Sequence, residues 1–556
     1  MQCSVALTLL ILLFVFEATS QLPHSASPFA VLSQTHANSN TEQVVDVIVI
    51  GATGDLATKY LWVAMFRMAL EGKMVSRRTF RLFAGASDTL ERGRIWHENF
   101  FNEKFAERVC GVFEDKMSAE QVYCREFLEV EFKPNVQYAP LRSESHYKEL
   151  GRILQEEDNL TKGGRIVYLA IPPQFFLPCC EMIHRYLRPN RSETQTASPF
   201  LRVVVEKPFG RDLQSAHELA TRLRAIYSND ELFVMDHYAG KPVVQALRSY
   251  LQLNTATLNP IWNSNYIQDI HIEMTETATL QHRVSYFDSS GIIRDVMVNH
   301  LQLLLNVAVA PSFDAAISIH EAQLRFIRSL RVSSRQSLFI AQYDEYAAHY
   351  EAEMSQRSDE SDHFTPTAAW IELTSSLDEW RDTSFRLAAA KATAERQLSI
   401  TVAFNSGVFQ DQQCTLTVII QRALNVDASE AHRIEWSCDV SEVLPDLQLP
   451  KGWKYVEADD HRVVIPQRSE HATAAWELGD EASAYDFLLR EIANGATEHF
   501  ADLDEVEAAW TLWTPVVHAA EAASNRDNHT SYPAGTSPWK SESLSTKTSQ
   551  EVKEEL

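Results

Sequence analysis

Four side chains that can bind or deprotonate a ligand lie within six consecutive positions of the chain. The stretch VMDHYAGKPVVQAL (234–247) contains Asp236, His237, Tyr238 and Lys241. A carboxylate and an imidazole can transfer protons near neutral pH, whereas a phenol and an ammonium supply hydrogen-bond donors and charge to an anion. Taken alone, the stretch is more typical of a strand that ends and enters a helix, with Asp236 as the helix cap. Its chemistry therefore depends on what the rest of the chain places around it.

A candidate phosphate-binding turn lies further upstream. The continuous apolar run VVDVIVI (44–50) is typical of a buried parallel strand, and GATGDLATKYLW follows it directly. Gly51, Gly54 and Ala57 would let the backbone approach a pyrophosphate, and the N-terminus of the next helix would present its free N–H groups to the anion. Because the GxGxxG pattern is incomplete, a tight turn without a ligand is an equally good interpretation of this segment alone.

Two different strand patterns divide the chain. Buried runs separated by helical patterns predict a Rossmann-like parallel α/β coenzyme domain, with further strands at 81–87, 165–171 and 201–206. From about residue 267 the strands alternate apolar and polar residues, at 267–277, 368–376, 397–405 and 414–422. We therefore predict a coenzyme-binding domain over 44–235 and an α+β domain built on a large, mainly antiparallel sheet over 236–520.

Composition limits the classes of partner. The 556 residues are 45% hydrophobic, enough for a large core and at least two domains, and they carry a formal net charge of −25. Such a charge argues against nucleic acid or an anionic membrane surface as a general partner.

Both ends of the chain carry targeting patterns. The apolar run VALTLLILLFVF followed by EATSQ predicts a signal peptide over 1–20, although the absence of Lys or Arg before the run leaves an uncleaved anchor open. A polar linker is predicted over 21–43, and no later segment is long and apolar enough to span a membrane. The polar tail over 521–556 ends in KEEL, which is similar to a KDEL-type retrieval signal. These features predict the lumen of the endoplasmic reticulum.

Sequons and cysteines agree with a secretory route. Sequons occur at Asn159, Asn190 and Asn528. Removal of the signal peptide leaves six cysteines, at Cys110, Cys124, Cys179, Cys180, Cys414 and Cys438. Their spacing fits no zinc pattern, so no metal site is predicted, and six cysteines in so large a chain do not make a disulfide framework. Whether one or two disulfides form, and with which pairing, is left open.

Taken in order, several motifs resemble the glucose-6-phosphate dehydrogenase family. They are GATGDLA (51–57), YLAIPP (168–173), EKPFG (206–210), DHYAGK (236–241), PIWN (260–263) and GIIRDVMVNH (291–300). The resemblance continues through RLAAAKATAERQ and AAWTLWTPVVH and covers nearly the whole chain after residue 44. The signal, the KEEL ending and LRVVVEKPFG are most similar to the luminal hexose-6-phosphate dehydrogenase branch. That branch commonly carries a C-terminal lactonase domain, which we expect to be lacking because only about forty residues follow the dehydrogenase pattern.

The resemblance implies oxidation of glucose 6-phosphate at C1 to a lactone, with hydride transfer to NADP. His300 would be the catalytic base, oriented by Asp236. The implied substrate-binding residues are Lys207, His237, Tyr238, Lys241, Glu276, Asp295 and Lys391. The implied coenzyme-binding residues are Gly51, Ala52, Thr53, Gly54, Asp55, Leu56, Ser87 and Lys207. A homodimer or tetramer is expected from the family alone.

Several positions depart from the family pattern. Tyr60 stands where many members have a lysine, with Lys59 one position earlier, and Pro242 follows the lysine of DHYAGK. Ala388 replaces an arginine, so we expect any second, structural NADP site to be absent or weak. Ser87, beside Asp88, replaces the arginine that grips the 2′-phosphate in NADP-selective members, which makes use of NAD possible.

Two alternatives of a different kind remain. One is a non-catalytic luminal protein that retains the fold, and the retained set of His300, Asp236 and Lys207 argues against it. The other is a dehydrogenase of unphosphorylated glucose, which the Tyr60 departure favours and the retention of Lys241 disfavours.

Overall fold

A computed structural model describes most of the chain between residues 43 and 539. The described ranges are 43–76, 78–111, 118–158, 163–190, 199–309, 317–334, 337–354, 364–409, 413–423, 433–450, 453–458, 461–466, 480–524 and 530–539. The predicted signal peptide, the linker up to residue 42, Asn159, Asn528 and the KEEL sequence lie outside them. Asn190 lies within them and is exposed.

The first sheet has six parallel strands in the order β3-β2-β1-β4-β5-β6. They are β1 (Gln43–Ile50), β2 (Arg78–Ala86), β3 (Val136–Pro140), β4 (Arg165–Leu169), β5 (Leu201–Glu206) and β6 (Leu232–Met235). This confirms the Rossmann-like prediction. The sequence patterns did not indicate β3, an edge strand that ends in proline. For β6, which has only four residues, they indicated the strand end before Asp236.

Helices cover both faces of this sheet. The longer ones in this part of the chain are Trp62–Glu71, Leu90–Phe100, Glu103–Cys110, Ala119–Glu126, Glu144–Asp158, Phe176–Met182 and Leu213–Arg224. Alternate residues of β1 enter two different cores: Val47 and Val49 pack with Trp62, whereas Ile48 packs on the opposite face. A strand buried on both faces explains why its sequence is mostly apolar; the buried exception, Asp46, pairs with Arg81 and Arg165.

The second sheet is mixed but mainly antiparallel, as predicted. Its described strands run in the order β15-β16-β14-β13-β12-β7-β11-β10-β9-β17, with β8 paired to β10. They are β7 (Ile267–Thr275), β8 (Leu330–Val332), β9 (Leu338–Tyr343), β10 (Ala368–Ser375), β11 (Ser384–Ala390), β12 (Arg396–Phe404), β13 (Thr415–Ala423), β14 (Arg433–Trp436), β15 (Trp453–Ala458), β16 (His461–Pro466) and β17 (Ser531–Tyr532). The β7–β11 and β9–β17 pairs are parallel.

Helices of the second half join the two sheets. They are Pro242–Leu253, Gln302–Val309, Ile319–Ser329, Tyr346–Met354, Asp480–Asn494 and Leu503–Ser524. Helix Asp480–Asn494 packs on the coenzyme domain, where Leu488 and Ile492 share a core with Trp62. The chain therefore returns to the first sheet late in its course. None of the helices described here combines the length and apolarity needed to cross a membrane.

Part of the predicted polar tail is folded. Residues 521–524 end helix Leu503–Ser524, and Ser531–Tyr532 adds β17 beside β9. Tyr532 is buried at 3% exposure. The tail expectation is thus corrected for these residues, because one aromatic side chain among many polar ones suffices to anchor a short strand.

Two disulfides form among the six cysteines. Cys110 pairs with Cys124, and Cys414 pairs with Cys438. The pairing, which sequence left open, joins partners only 14 and 24 residues apart.

Candidate active site

A histidine and an aspartate form a buried dyad at the carboxyl end of the first sheet. Asp236 follows β6 directly, and His300 lies in the π-helical segment Ile293–Leu301. Nδ1 of His300 is 2.7 and 2.9 Å from the two carboxylate oxygens of Asp236. Donation from Nδ1–H to the carboxylate leaves the lone pair on Nε2, the atom required of a general base.

Burial and mutual charge set the protonation of the dyad. Burial raises the pKa of Asp236, but interaction with His300, including the hydrogen bond from its ring, and the Lys207 ammonium outweigh it and hold that pKa well below its usual range. Burial lowers the pKa of His300, and the Asp236 carboxylate only partly opposes this. At neutral pH the dyad is therefore a carboxylate beside a neutral imidazole.

Aromatic rings surround the base. The ring centroid of His300 lies 4.0 Å from that of Tyr238 and 5.1 Å from that of His237. His237 stacks on Tyr485, which stacks in turn on Tyr60, at 5.9 and 6.0 Å. Burial, with the neighbouring His300, lowers the pKa of His237 well below its usual value, so the ring is a neutral hydrogen-bonding group. Tyr60, the departure from the family pattern, thus packs in a ring stack that leads to the dyad.

A lysine from the second sheet joins two carboxylates near the dyad. Lys391 follows β11 and forms ion pairs with Glu276, which follows β7, and with Asp295, at 3.3 Å from the latter. Burial lowers the pKa of Lys391, but the two carboxylates outweigh it and raise that pKa overall. Burial also raises the pKa of Asp295, but the ammonium groups of Lys391 and Lys207 outweigh it and lower that pKa overall. Both carboxyl groups lie beside the Lys391 ammonium, and their oxygens can accept hydrogen bonds from hydroxyl groups.

Two further lysines border the dyad. Nζ of Lys207 donates to the carbonyl of Asp295 at 3.5 Å, which ties the loop after β5 to the segment that carries His300. Lys241 is buried at 2% exposure, with Nζ 4.8 Å from the ring centroid of Tyr238. Pro242 is the first residue of helix Pro242–Leu253, a position where its missing N–H costs nothing, so this departure leaves the helix start intact.

The glycine turn fits a dinucleotide. Gly51 has φ +89°, and a Cβ there would lie 2.2 Å from the carbonyl oxygen of Ala170. Gly54 closes the turn by donating to the Gly51 carbonyl at 2.9 Å, with Ala52 buried and Leu56 half-buried beside it. Thr53 and Asp55 are exposed at the mouth. The tight backbone before a helix start is the cradle that a pyrophosphate requires.

At the end of β2 lies the position that would meet the adenosine ribose. Ser87 follows the strand and is exposed. Arg92 forms an exposed ion pair with Asp88 at 3.3 Å. The arginine is thus on the same surface as Ser87 but turned to a neighbouring carboxylate.

Two residues at the site were not singled out from sequence. Glu206 is buried and accepts hydrogen bonds from the hydroxyls of Tyr168 and Tyr485, the latter at 3.2 Å. Burial raises the pKa of Glu206 to about 7. Its place before Lys207 in EKPFG was the only available signal, whereas Tyr485 reaches the site from a distant helix.

The dyad and the neighbouring His237 are residue types that can also bind a metal ion. Asp236, His237 and His300 offer ligand atoms within 4.8 Å of one another. The hydrogen bonds between Asp236 and Nδ1 of His300 occupy both groups, which favours proton transfer as their use.

Family models match both halves of the chain. Residues 48–246 match "Glucose-6-phosphate dehydrogenase, NAD binding domain", and residues 249–552 match "Glucose-6-phosphate dehydrogenase, C-terminal domain". These matches confirm the family resemblance drawn from the motifs.

Curated relatives agree. The "GDH/6PGL endoplasmic bifunctional protein" of Oryctolagus cuniculus is 29% identical over 488 residues, covering 85% of this chain and 59% of that protein. "Glucose-6-phosphate 1-dehydrogenase 6, cytoplasmic" of Arabidopsis thaliana is 27% identical and covers 85% of both chains. The chain therefore spans less than two thirds of the endoplasmic relative.

A solved structure described as "Glucose-6-phosphate dehydrogenase in complex with its substrate glucose-6-phosphate" is also similar. It has a TM-score of 0.66 and 25% identity, covering 90% of this chain and 96% of the other. The glucose-6-phosphate 1-dehydrogenase of Mycobacterium avium shares the fold with a TM-score of 0.62 and 21% identity.

Proposed function

Because the chain belongs to the glucose-6-phosphate dehydrogenase family, we propose that it oxidises glucose 6-phosphate at C1 to the 6-phosphoglucono-lactone, using NADP. The observation that carries the proposal is the buried dyad of His300 and Asp236, bordered by Lys207, Lys241 and the Lys391 ion pairs. A similar solved structure holds this sugar phosphate.

In the proposed reaction, Nε2 of His300 takes the proton of the C1 hydroxyl. Asp236 holds the ring in the tautomer that leaves Nε2 free and stabilises the imidazolium that forms. Carboxylates of Glu276 and Asp295 accept hydrogen bonds from sugar hydroxyls. The coenzyme, when bound, accepts the hydride that leaves C1.

The phosphate of the sugar would be held by the segment 237–241. His237 and Tyr238 offer hydrogen-bond donors, and Lys241 supplies the charge that a dianion requires. We expect Lys207 to lie between the sugar and the coenzyme. The turn itself, with Gly51, would hold the pyrophosphate of the coenzyme.

Initial rates test this function directly. Purified protein is assayed with glucose 6-phosphate, galactose 6-phosphate and glucose, each with NADP and with NAD. We expect the highest kcat/KM with a hexose 6-phosphate. Equal rates with unphosphorylated glucose would contradict the assignment of the 237–241 segment, and no turnover of any sugar would contradict the enzyme itself.

We further propose that the protein resides in the lumen of the endoplasmic reticulum. Two disulfides, an exposed sequon at Asn190 and the apolar run at 5–16 support this, as does the printed name of the endoplasmic relative. Deleting Lys553 to Leu556 is expected to release glycosylated protein into the medium. Retention in the cell after the deletion would contradict a role for the KEEL sequence.

A further inference from the structure

A short C-terminal segment packs behind the lysine of the substrate site. Residues 530–539, which we name the C-terminal strap, add β17 along the edge of β9. The N–H of Asp344 donates to the Tyr532 carbonyl at 3.0 Å, and the N–H of Gln342 donates to the Thr530 carbonyl at 3.1 Å. The strap is therefore held by backbone hydrogen bonds at its start.

Tyr532 reaches from the strap to the loop that carries Lys391. Its hydroxyl donates to the Lys391 carbonyl at 2.6 Å, and it lies 3.1 Å from the hydroxyl of Thr367. The carbonyl of Thr367 accepts from the N–H of Lys391 at 3.0 Å. Tyr532 and Thr367 thus hold both polar groups of the Lys391 backbone.

The next residue of the loop has an unusual backbone conformation. Ala392 has φ +52°, in the left-handed region that residues with a Cβ seldom adopt. Its carbonyl accepts from the N–H of Gly535 in the strap at 2.8 Å, and its N–H donates to Ala278 at 3.2 Å. A conformation of this kind persists only where surrounding contacts hold it, and one of the two contacts here comes from the strap.

The far end of the strap is anchored as well. Nε1 of Trp539 donates to the Glu273 carboxylate on β7 at 2.9 Å, and its ring packs against Phe339. β7 is the strand that leads to Glu276, the partner of Lys391. The strap therefore connects the two strands whose ends carry this ion pair.

We infer that the C-terminal strap is a positioning element for Lys391, with Tyr532 as the positioning residue. By fixing the backbone of Lys391 and Ala392, it places the ammonium between Glu276 and Asp295, and so sets the geometry that receives the sugar hydroxyls. Tyr532 touches no substrate and acts through Lys391. The inference rests on the proposed function of the Lys391 site.

Tyr532→Phe removes only the hydroxyl. Because a net hydrogen bond contributes about 0.5–1.5 kcal/mol, equivalent to a factor of about 2 to 12, we expect KM for glucose 6-phosphate to rise by about that factor. The KM for NADP should stay unchanged, since the strap does not contact the coenzyme turn among the described residues. Trp539→Phe, which removes the indole N–H, should shift the same constant in the same direction.

Tyr227→Phe is the matched control. Tyr227 is also buried, and its hydroxyl donates to the carbonyl of Cys180 at 2.6 Å within the coenzyme domain. Both tyrosine variants lose one buried hydroxyl that donates to a backbone carbonyl at 2.6 Å. Tyr532 also bonds the Thr367 hydroxyl, so Tyr532→Phe should lower thermal stability at least as much as Tyr227→Phe. Only Tyr532→Phe should change KM for the sugar; an equal change in Tyr227→Phe would show a general effect of destabilisation and overturn the inference.

A double-mutant cycle with Lys391→Met decides whether Tyr532 acts through the lysine. In the Lys391→Met background, Tyr532→Phe should have no further effect on sugar affinity, measured by calorimetry without coenzyme. Additive effects would overturn the inference. If the unaltered protein binds and oxidises no hexose phosphate, the proposed function fails; if it does and Tyr532→Phe binds the sugar unchanged, only the role of the strap fails.

Discussion

Coenzyme preference can be tested at one position after β2. Ser87 stands at the end of the strand, where NADP-selective members of the family have an arginine for the 2′-phosphate. A charge-assisted hydrogen bond contributes about 1.5–3 kcal/mol, which corresponds to a factor of about 10 to 150 in affinity. We therefore expect the protein to use both NADP and NAD, and Ser87→Arg to raise the ratio of kcat/KM for NADP over NAD by that factor.

We expect Arg92 to influence how much preference for NADP remains when position 87 is not an arginine. It pairs with Asp88 at 3.3 Å, and the two side chains are 75% and 54% exposed. Exposed pairs of this kind are worth about 0–1 kcal/mol, so Arg92 can leave Asp88 for a 2′-phosphate at little cost. Residual selectivity for NADP is expected from Arg92, and Asp88 opposes it by repelling the phosphate or accepting from the free 2′-hydroxyl of NAD.

The assay is kcat/KM for each coenzyme at saturating glucose 6-phosphate. Arg94, another exposed arginine on the same helix, is the second candidate for this contact. Arg92→Ser and Arg94→Ser are therefore compared, and the arginine that contacts the phosphate is the one whose loss lowers the ratio. Two results would refute the reasoning: a wild-type preference for NADP beyond about a thousandfold, which exceeds what one missing contact leaves room for, or no gain for NADP in Ser87→Arg.

Three further outcomes are expected at the dyad and the phosphate segment. His300→Asn should lower kcat by a factor on the order of 10² to 10⁴ while coenzyme affinity is retained, and Asp236→Asn should lower kcat by less. Wild-type turnover in His300→Asn, measured by initial rates, would exclude the histidine as the base. Lys241→Met should weaken glucose 6-phosphate far more than glucose, by a factor of about 10 to 150 in kcat/KM, and an equal loss for both sugars would make Lys241 structural. Because the pKa of His300 is lowered, its neutral form persists below the usual value near 6.5, so the acid limb of kcat/KM should lie below that pH. In Asp236→Asn the acid limb should move to still lower pH, since the carboxylate that raises the pKa of His300 is lost. A shift to higher pH in that variant would contradict the assigned charges.

Much of the first domain could be predicted because its physical signals are local. The β1 run and Gly51 lie within eight residues, and burial of the strand on both faces makes every position of the run except Asp46 apolar. β11 was harder to recognise, since SFRLAAA combines helix-favouring alanines with a strand that is buried between β7 and β10. Tertiary pairing decided its conformation there.

The site residues could be predicted only together, from several family motifs that occur in order along the chain. Taken alone, Asp236 has a more ordinary interpretation as a helix cap, and its contact with His300 spans 64 residues of sequence. Tyr485 and Tyr532 had no signal of this kind, because each enters the site through packing of a segment that is distant in sequence. Their roles become visible only through the hydroxyl groups that reach Glu206 and the Lys391 carbonyl.

The charged side chains of the site are already paired with neighbouring side chains before any substrate binds. Lys391 is engaged by Glu276 and Asp295, and the Asp236 carboxylate is engaged by His300. An ammonium held between two carboxylates cannot also neutralise a phosphate dianion without giving up at least one of them. We therefore expect recognition of the phosphate to depend on the 237–241 segment, and Lys391 to serve the hydroxyl end of the sugar by holding its two carboxylates in place. This division of labour is why removal of Lys241 should discriminate between phosphorylated and unphosphorylated sugar, whereas displacement of Lys391 should weaken both.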